Sequence, residues 1–444
     1  MLFREATLAD GRVRDVRVDG EEIAAVGADL DAAAGDDVVD CAGKHLLPGA
    51  VDVHVHFRQP GYGHKEDWGT GSRSAAAGGV TTVVDQPNTS PPTVDGAAFD
   101  EKESYADASL VDYGINGGVT ADWDPSSLFD RPLFALGEVF LADSTGDMGI
   151  DADLFADAVA RAADADVPVT VHAEDADLFN DSVKPGGSSG GDGGDNGDGN
   201  DGGRTDADAW SAYRTAEAEA AAVKRAVQVG ADADVALHIA HTSTPEGVDA
   251  AAAGGATCEV TPHHLFLSRD DLPALGTFGR MNPPLRSEER REAVLERLRD
   301  GTVDVVATDH APHTREEKDA GIWEAPSGVP GVETMLPLLL SAVRDGDLTL
   351  ERVRDVTAAN PAAIFGLPRK GRVAAGRDAD LVVVDLDAAR EIRGDDLHSK
   401  CGWTPFEGFD GVFPELTVVR GHVAYDARGD DETFGDAVGE NVRR

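Results

Sequence analysis

Eight segments that read as β-strands, separated by stretches that read as helices, constrain this chain more than any other feature. In order they are Leu46–His56, Val80–Asp85, Tyr113–Val119, Phe134–Leu141, Val167–His172, Ala236–His241, Thr257–Thr261 and Val303–Thr308. Ala-rich, charged stretches with helical spacing lie between most of them, including Asp151–Asp164, Ser211–Val229 and Ser287–Arg299. Two more, Glu333–Arg344 and Leu350–Ile364, follow the last strand. Such alternation predicts an α/β protein built on a (β/α)8 TIM barrel. The flanks differ: short strands and turns fill residues 1–47 (Arg12–Val18, Glu22–Val26) and 369–444 (Ala379–Asp385, Glu415–Arg420, His422–Asp426). The expected organisation is a barrel over 48–368, inserted into a small composite β-sandwich made by 1–47 and 369–444. An insert rich in Gly, Asp, Ser and Asn at about 185–203 has nothing to bury and is expected to be disordered. It also lacks the bulky apolar residue that each calcium-binding nonapeptide repeat requires.

Charge narrows the partners. The chain carries 83 Asp plus Glu against 39 Lys plus Arg, a formal charge of −44, and only eight lysines. The acid is spread along the whole length. This argues against a nucleic-acid or anionic-membrane partner. It fits the solvated surface of a protein from a salt-loving organism such as a haloarchaeon. No apolar run is long enough for a membrane span, and no basic region followed by an apolar stretch opens the chain. Cys41, Cys258 and Cys401 lie far apart and form no CxxC, so a reducing cytoplasm is expected. A homo-oligomer is compatible with the sequence, which does not define its order.

The strand ends carry the chemistry. His54 and His56 are two apart on the first strand and share a face, which makes half of a metal site. Arg58 continues that parity as a cationic fork. The second strand runs into Gln86-Pro87-Asn88, the fifth into His172-Ala173-Glu174, the sixth into His241 and the eighth into Asp309-His310. In barrels of this kind, reactive groups gather at the carboxyl ends of the strands.

With these motifs in order, the chain resembles the dihydroorotases of the cyclic amidohydrolase superfamily along nearly its whole length. The matching stretches are Asp52–Gly61 with Lys65–Trp68, Gly78–Thr89, Val171–Asp175, His238–Thr244, Glu259–Leu265, Met281–Arg286 and Thr308–Thr314. The resemblance implies two Zn2+ ions per subunit, one bound by His54 and His56, the other by His172 and His241, with Asp309 on one metal. Many members bridge the metals with a carboxylated lysine on strand four. This chain has no lysine between Lys102 and Lys184, so a carboxylate must serve: Glu138, or Asp143 a few residues later. His238 falls on the opposite face from His241 and reads as a core or supporting residue. His263 and His264 read as rim or structural residues, and His310 is expected to point away from the metals.

The implied substrate is a small molecule with a free carboxylate and a ring amide. Arg58, Asn88, Asn282 and His313 are the residues expected to hold it, and Ser327–Gly331 resembles a loop that contacts it. The implied reaction is reversible cyclisation of N-carbamoyl-L-aspartate to L-dihydroorotate in pyrimidine biosynthesis. A water activated by the zinc pair attacks the ring carbonyl in hydrolysis, and Asp309 shuttles the proton. Two rivals stand beside this reading. An allantoinase or hydantoinase opens neutral rings and needs no carboxylate clamp such as Arg58. A metal-free scaffold would lack the four histidines.

Overall fold

The computed structural model describes residues 1–33, 35–143, 148–186 and 203–444. The insert at about 185–203 therefore lies almost wholly outside the described residues. The run expected as one strand over Leu46–His56 is broken at Gly49. His45–Pro48 pairs antiparallel with the start of strand Leu381–Glu391, whereas Ala50–Val55 pairs parallel with Val80–Asp85. Glycine is required at the crossing, because a Cβ there would meet Thr81 Oγ1 at 2.1 Å. The Gly49 N–H donates to Asp380 O (2.9 Å) on the sheet side, and the next N–H, of Ala50, donates to Gly79 O (3.0 Å) on the barrel side.

The barrel strands are Ala50–Val55, Val80–Asp85, Asp112–Ile115, Leu136–Phe140, Val169–His172, Leu237–Ile239, Thr257–Val260 and Val305–Val306. They form a three-stranded and a five-stranded parallel arc. Parallel bridges Gly117–Leu136 and Val55–His310 join the arcs into a closed ring. Strands buried on both faces need apolar, β-branched sequence, which the valine-rich runs supply. The foot of the barrel is filled by Val51, Val53, Val84, Phe134 and Val305 with Phe365 from the last helical segment. The Phe134 and Phe365 rings lie 4.9 Å apart. That plug leaves the carboxyl-end mouth as the open end.

Helices begin where short polar side chains accept the first free N–H groups. Asp67, Asp95, Asp151 and Thr244 cap Trp68–Ala77, Gly96–Ala106, Ala152–Asp164 and Pro245–Ala253. The helix expected over Ser211–Val229 is two helices, Ala209–Tyr213 and Ala216–Ala233. Arg214 is extended between them with its side chain buried, and Thr215 caps the second.

Strands from both chain ends form one nine-stranded sheet with its own core of Phe3, Val16, Ile23, Leu46, Val383 and Leu416. The end of the chain returns beneath the barrel, where Tyr113 N–H donates to Glu440 O (2.9 Å).

Candidate active site

Alternation along the first strand sends His54 and His56 into the barrel mouth, both buried. Each ring is oriented from behind. His54 Nδ1 lies 2.6 Å from Glu259 Oε1, and His56 Nδ1 lies 2.7 Å from Asn88 Oδ1. Each acceptor takes the Nδ1 proton and leaves the Nε2 lone pair facing inward. His54 Nε2 has no hydrogen-bond partner although it is buried. His56 Nε2 faces Asp309 Oδ1 at 2.9 Å.

Glu138 stands between these rings and the second pair. Its Oε2 is 3.4 Å from His54 Nε2, and its Oε1 is 2.9 Å from His172 Nδ1 and 2.6 Å from His241 Nε2. His172 Nε2 lies 2.9 Å from Glu174 Oε2, so that nitrogen carries the proton and Nδ1 presents its lone pair. Glu174 is in turn held by Arg214 (Nε at 3.0 and 3.1 Å from its two oxygens). The Glu138 N–H donates to Gln86 Oε1 (3.0 Å), which fixes the backbone at the bridge.

Two donor sets result, His54–His56–Glu138 and Glu138–His172–His241, with Glu138 common to both. They fit a metal centre on three observations. An unpartnered buried nitrogen, a lone pair facing a carboxylate, and two ring nitrogens 3.0 Å apart (His172 Nδ1 and His241 Nε2) all call for positive charge in the gap. Imidazole and carboxylate are suitable donors for zinc. Burial pushes the Glu138 carboxyl up, but the rings of His54 and His241, with His172 beside them, hold it well below the usual carboxylate range. Arg58, His241 and Asp309 all have positive φ (66°, 30° and 44°), a left-handed backbone that non-glycine residues seldom adopt. All three follow barrel strands, where the chain must turn sharply while its side chain stays in the mouth.

A small cavity opens over the donors. Arg58, Asn88, Asn282, Asp309, Ser327 and Gly328 are among its walls. Asn282 Oδ1 accepts from Trp210 Nε1 (2.9 Å). His313 is buried immediately behind Arg58, with Nε2 3.2 Å from a guanidinium nitrogen and 3.0 Å from Ser327 O. It is not among the residues lining the cavity, so its position supports Arg58 and the Ser327 backbone from the rear.

Asp143 lies elsewhere: its carboxylate is at the surface and accepts from Gly149 N–H (2.7 Å). His238 lies deeper, 2.8 Å from Thr257 Oγ1 and 3.2 Å from Glu259 Oε2. His310 turns away, its Nδ1 accepting from Gly331 N–H at 3.1 Å. His264 is held between Thr261 Oγ1 and Pro283 O. Glu259 and Glu174, which orient the rings, were not singled out from the sequence. Their available signal was a glutamate within or just after an otherwise apolar strand.

A closed parallel barrel with clustered imidazoles and a shared carboxylate at its carboxyl end defines a metal-dependent amidohydrolase. A profile of the Amidohydrolase family matches residues 141–424, and a Dihydro-orotase-like profile matches 43–187. A dihydroorotase of Halobacterium salinarum is 68% identical over 100% of both chains. A dihydroorotase of Methanosarcina acetivorans is 43% identical over 93% of this chain and 89% of that one. Among solved structures, an L-hydantoinase (dihydropyrimidinase) from Arthrobacter aurescens superimposes with a TM-score of 0.90 at 28% identity, covering 100% of this chain and 99% of that one. The chain belongs to the dihydroorotase family. The salt-loving source of the Halobacterium relative agrees with the acidic balance of this sequence.

Proposed function

We propose that the mouth of this barrel interconverts L-dihydroorotate and N-carbamoyl-L-aspartate, with two zinc ions per chain. His54, His56, Glu138 and Asp309 would hold one ion, and Glu138, His172 and His241 the other. When bound, such a pair polarises an amide carbonyl and lowers the pKa of water toward neutrality. The chain's own residues do the rest. Arg58 receives the substrate carboxylate bidentately, with the Asn88 amide beside it and Asn282 at the ring edge. His313 holds the far side of that guanidinium. In hydrolysis Asp309 accepts a proton from the attacking water and delivers it to the ring nitrogen as the carbonyl carbon–nitrogen bond breaks. In biosynthesis the same groups return the proton while the ring closes and water leaves. A cytoplasmic location goes with this reading, as does a division into a catalytic barrel (48–368) and a supporting β-sandwich (1–47 with 369–444). No helix of the described residues is long and apolar enough to cross a membrane.

One observation carries the reading: a buried guanidinium, Arg58, lines the same small cavity as the shared carboxylate Glu138. The closeness in fold to L-hydantoinase favours a second reading, opening of a neutral ring. Metal-loaded protein assayed on dihydroorotate, allantoin and hydantoin separates the two. Turnover of dihydroorotate well above that of both neutral rings is expected. Preference for a neutral ring would assign the chain to the second activity.

A further inference from the structure

The wall opposite the metal donors is made by two chain segments, one ending in Asn282 and the other containing Ser327 and Gly328. They meet on Lys318, the last residue of the short helix Arg315–Lys318. Lys318 is 0% exposed. Its Nζ donates to three main-chain carbonyls: Arg280 O (2.9 Å), Pro326 O (3.0 Å) and Gly328 O (3.1 Å). An ammonium has three N–H donors, so all are used. The same Arg280 carbonyl accepts from Gly328 N–H (3.0 Å), and Arg280 Nε donates to Ser327 Oγ (3.1 Å). Gly328 is pressed against the segment leaving Asp309, since a Cβ there would meet Ala311 O at 2.5 Å.

This lysine is costly where it stands. Burial disfavours its charge, and the neighbouring charges that act on it, Arg280 and Arg58, are also positive. An apolar side chain of similar length would fill the space without that cost. What it would lack is three directed donors that bind two segments into one wall.

We infer that Lys318 is a positioning residue, whose ammonium ties the Arg280–Asn282 and Pro326–Gly328 segments together and so sets the width of the pocket that grips the substrate carboxylate and ring. The inference rests on the dihydroorotase reading. It is tested with metal-loaded wild type, Lys318→Met and Lys318→Gln, by steady-state kinetics on dihydroorotate and by amide hydrogen exchange. Lys318→Met is expected to raise KM about tenfold or more while kcat changes less than about threefold, because substrate is held less well but the reacting groups are intact. Lys318→Gln, which keeps two donors, falls between. In both variants the Gly328 amide is expected to exchange at least about tenfold faster, while the Ala307 amide bonded to Val260 O in the barrel wall keeps its rate. A wild-type KM, or a fall in kcat with KM unchanged, in a folded variant overturns the assignment. Should the methionine variant fail to fold, the glutamine variant is judged on the same terms. Wild type that leaves dihydroorotate untouched refutes the functional reading instead. The Gly328 exchange rate needs no substrate and still decides whether Lys318 holds the wall.

Discussion

The mouth and the foot of this barrel both bury charge, and they do so in opposite ways. At the foot, Lys370 Nζ meets Asp112 and Asp380 at 2.6 Å each and Asp378 at 3.2 Å, while Arg420 Nε reaches Asp112 at 3.1 Å. Burial alone would lower the Lys370 pKa, yet Asp380 and Asp112 raise it above the ordinary lysine value. Every donor there has an acceptor, and the knot joins the barrel to the sheet of the chain ends. At the mouth, by contrast, His54 Nε2, His241 Nδ1 and His263 Nε2 are buried without hydrogen-bond partners. Saturated buried charge holds a structure together, whereas unsaturated buried polarity marks a place where something else must bind.

The comparison breaks most visibly at Glu138. Glu138→Gln removes the carboxylate common to both donor sets and is expected to lower turnover by about 10³-fold or more, with loss of bound metal. Metal analysis and a dihydroorotate assay check this, and with metal stripped from both, the variant and wild type should melt within a few degrees of each other. Lys370→Met should do the reverse. It leaves Asp380 with no cationic side chain, while Asp112 keeps Arg420 and Asp378 keeps Arg369, and is expected to cost about 3 kcal/mol in denaturant unfolding, with kcat/KM of the folded fraction unchanged. If either variant showed the other's signature, the division between mouth and foot would fail.

The smallest effect lies between the two regions, at His398, whose Nδ1 and Nε2 meet Glu333 and Glu432 at 2.8 and 2.9 Å. Burial lowers this imidazole, but the two glutamates raise it from 6.5 to about 9. A raised folded pKa means that its stabilisation is fully present below pH 6.5 and is lost as pH climbs through 9. Thermal melts should therefore fall by about 1–2 °C between pH 6.5 and 9.5 relative to His398→Asn.

Part of the mouth was legible in the sequence because period-two alternation puts His54 and His56 on one face, whereas Glu138 was named only through the family resemblance, with Asp143 as the alternative. The barrel was legible from the alternation of valine-rich and alanine-rich segments. The break at Gly49 was not, because Leu46–Pro48 is apolar whichever sheet it joins. The eighth strand is only Val305–Val306, shorter than its apolar run implies, since the chain turns into Thr308, whose N–H and hydroxyl bind the Asp52 carboxylate at 3.0 and 2.6 Å. The supports for the rings were hidden for another reason. His54 and Glu259 are 205 residues apart, and only the cross-strand register of a closed barrel brings them to 2.6 Å. His313 was expected to hold the substrate itself, but it stands behind Arg58 and off the cavity wall, a place that depends on the path of a loop.

The seam where the barrel closes runs between Val55 and His310, and His56 meets Asp309 across it although 253 residues separate them along the chain. During synthesis, then, the first histidines emerge long before the aspartate that completes their setting has been translated. A polypeptide ended before Asp309 therefore lacks one wall of the pocket, however much of the cylinder precedes it.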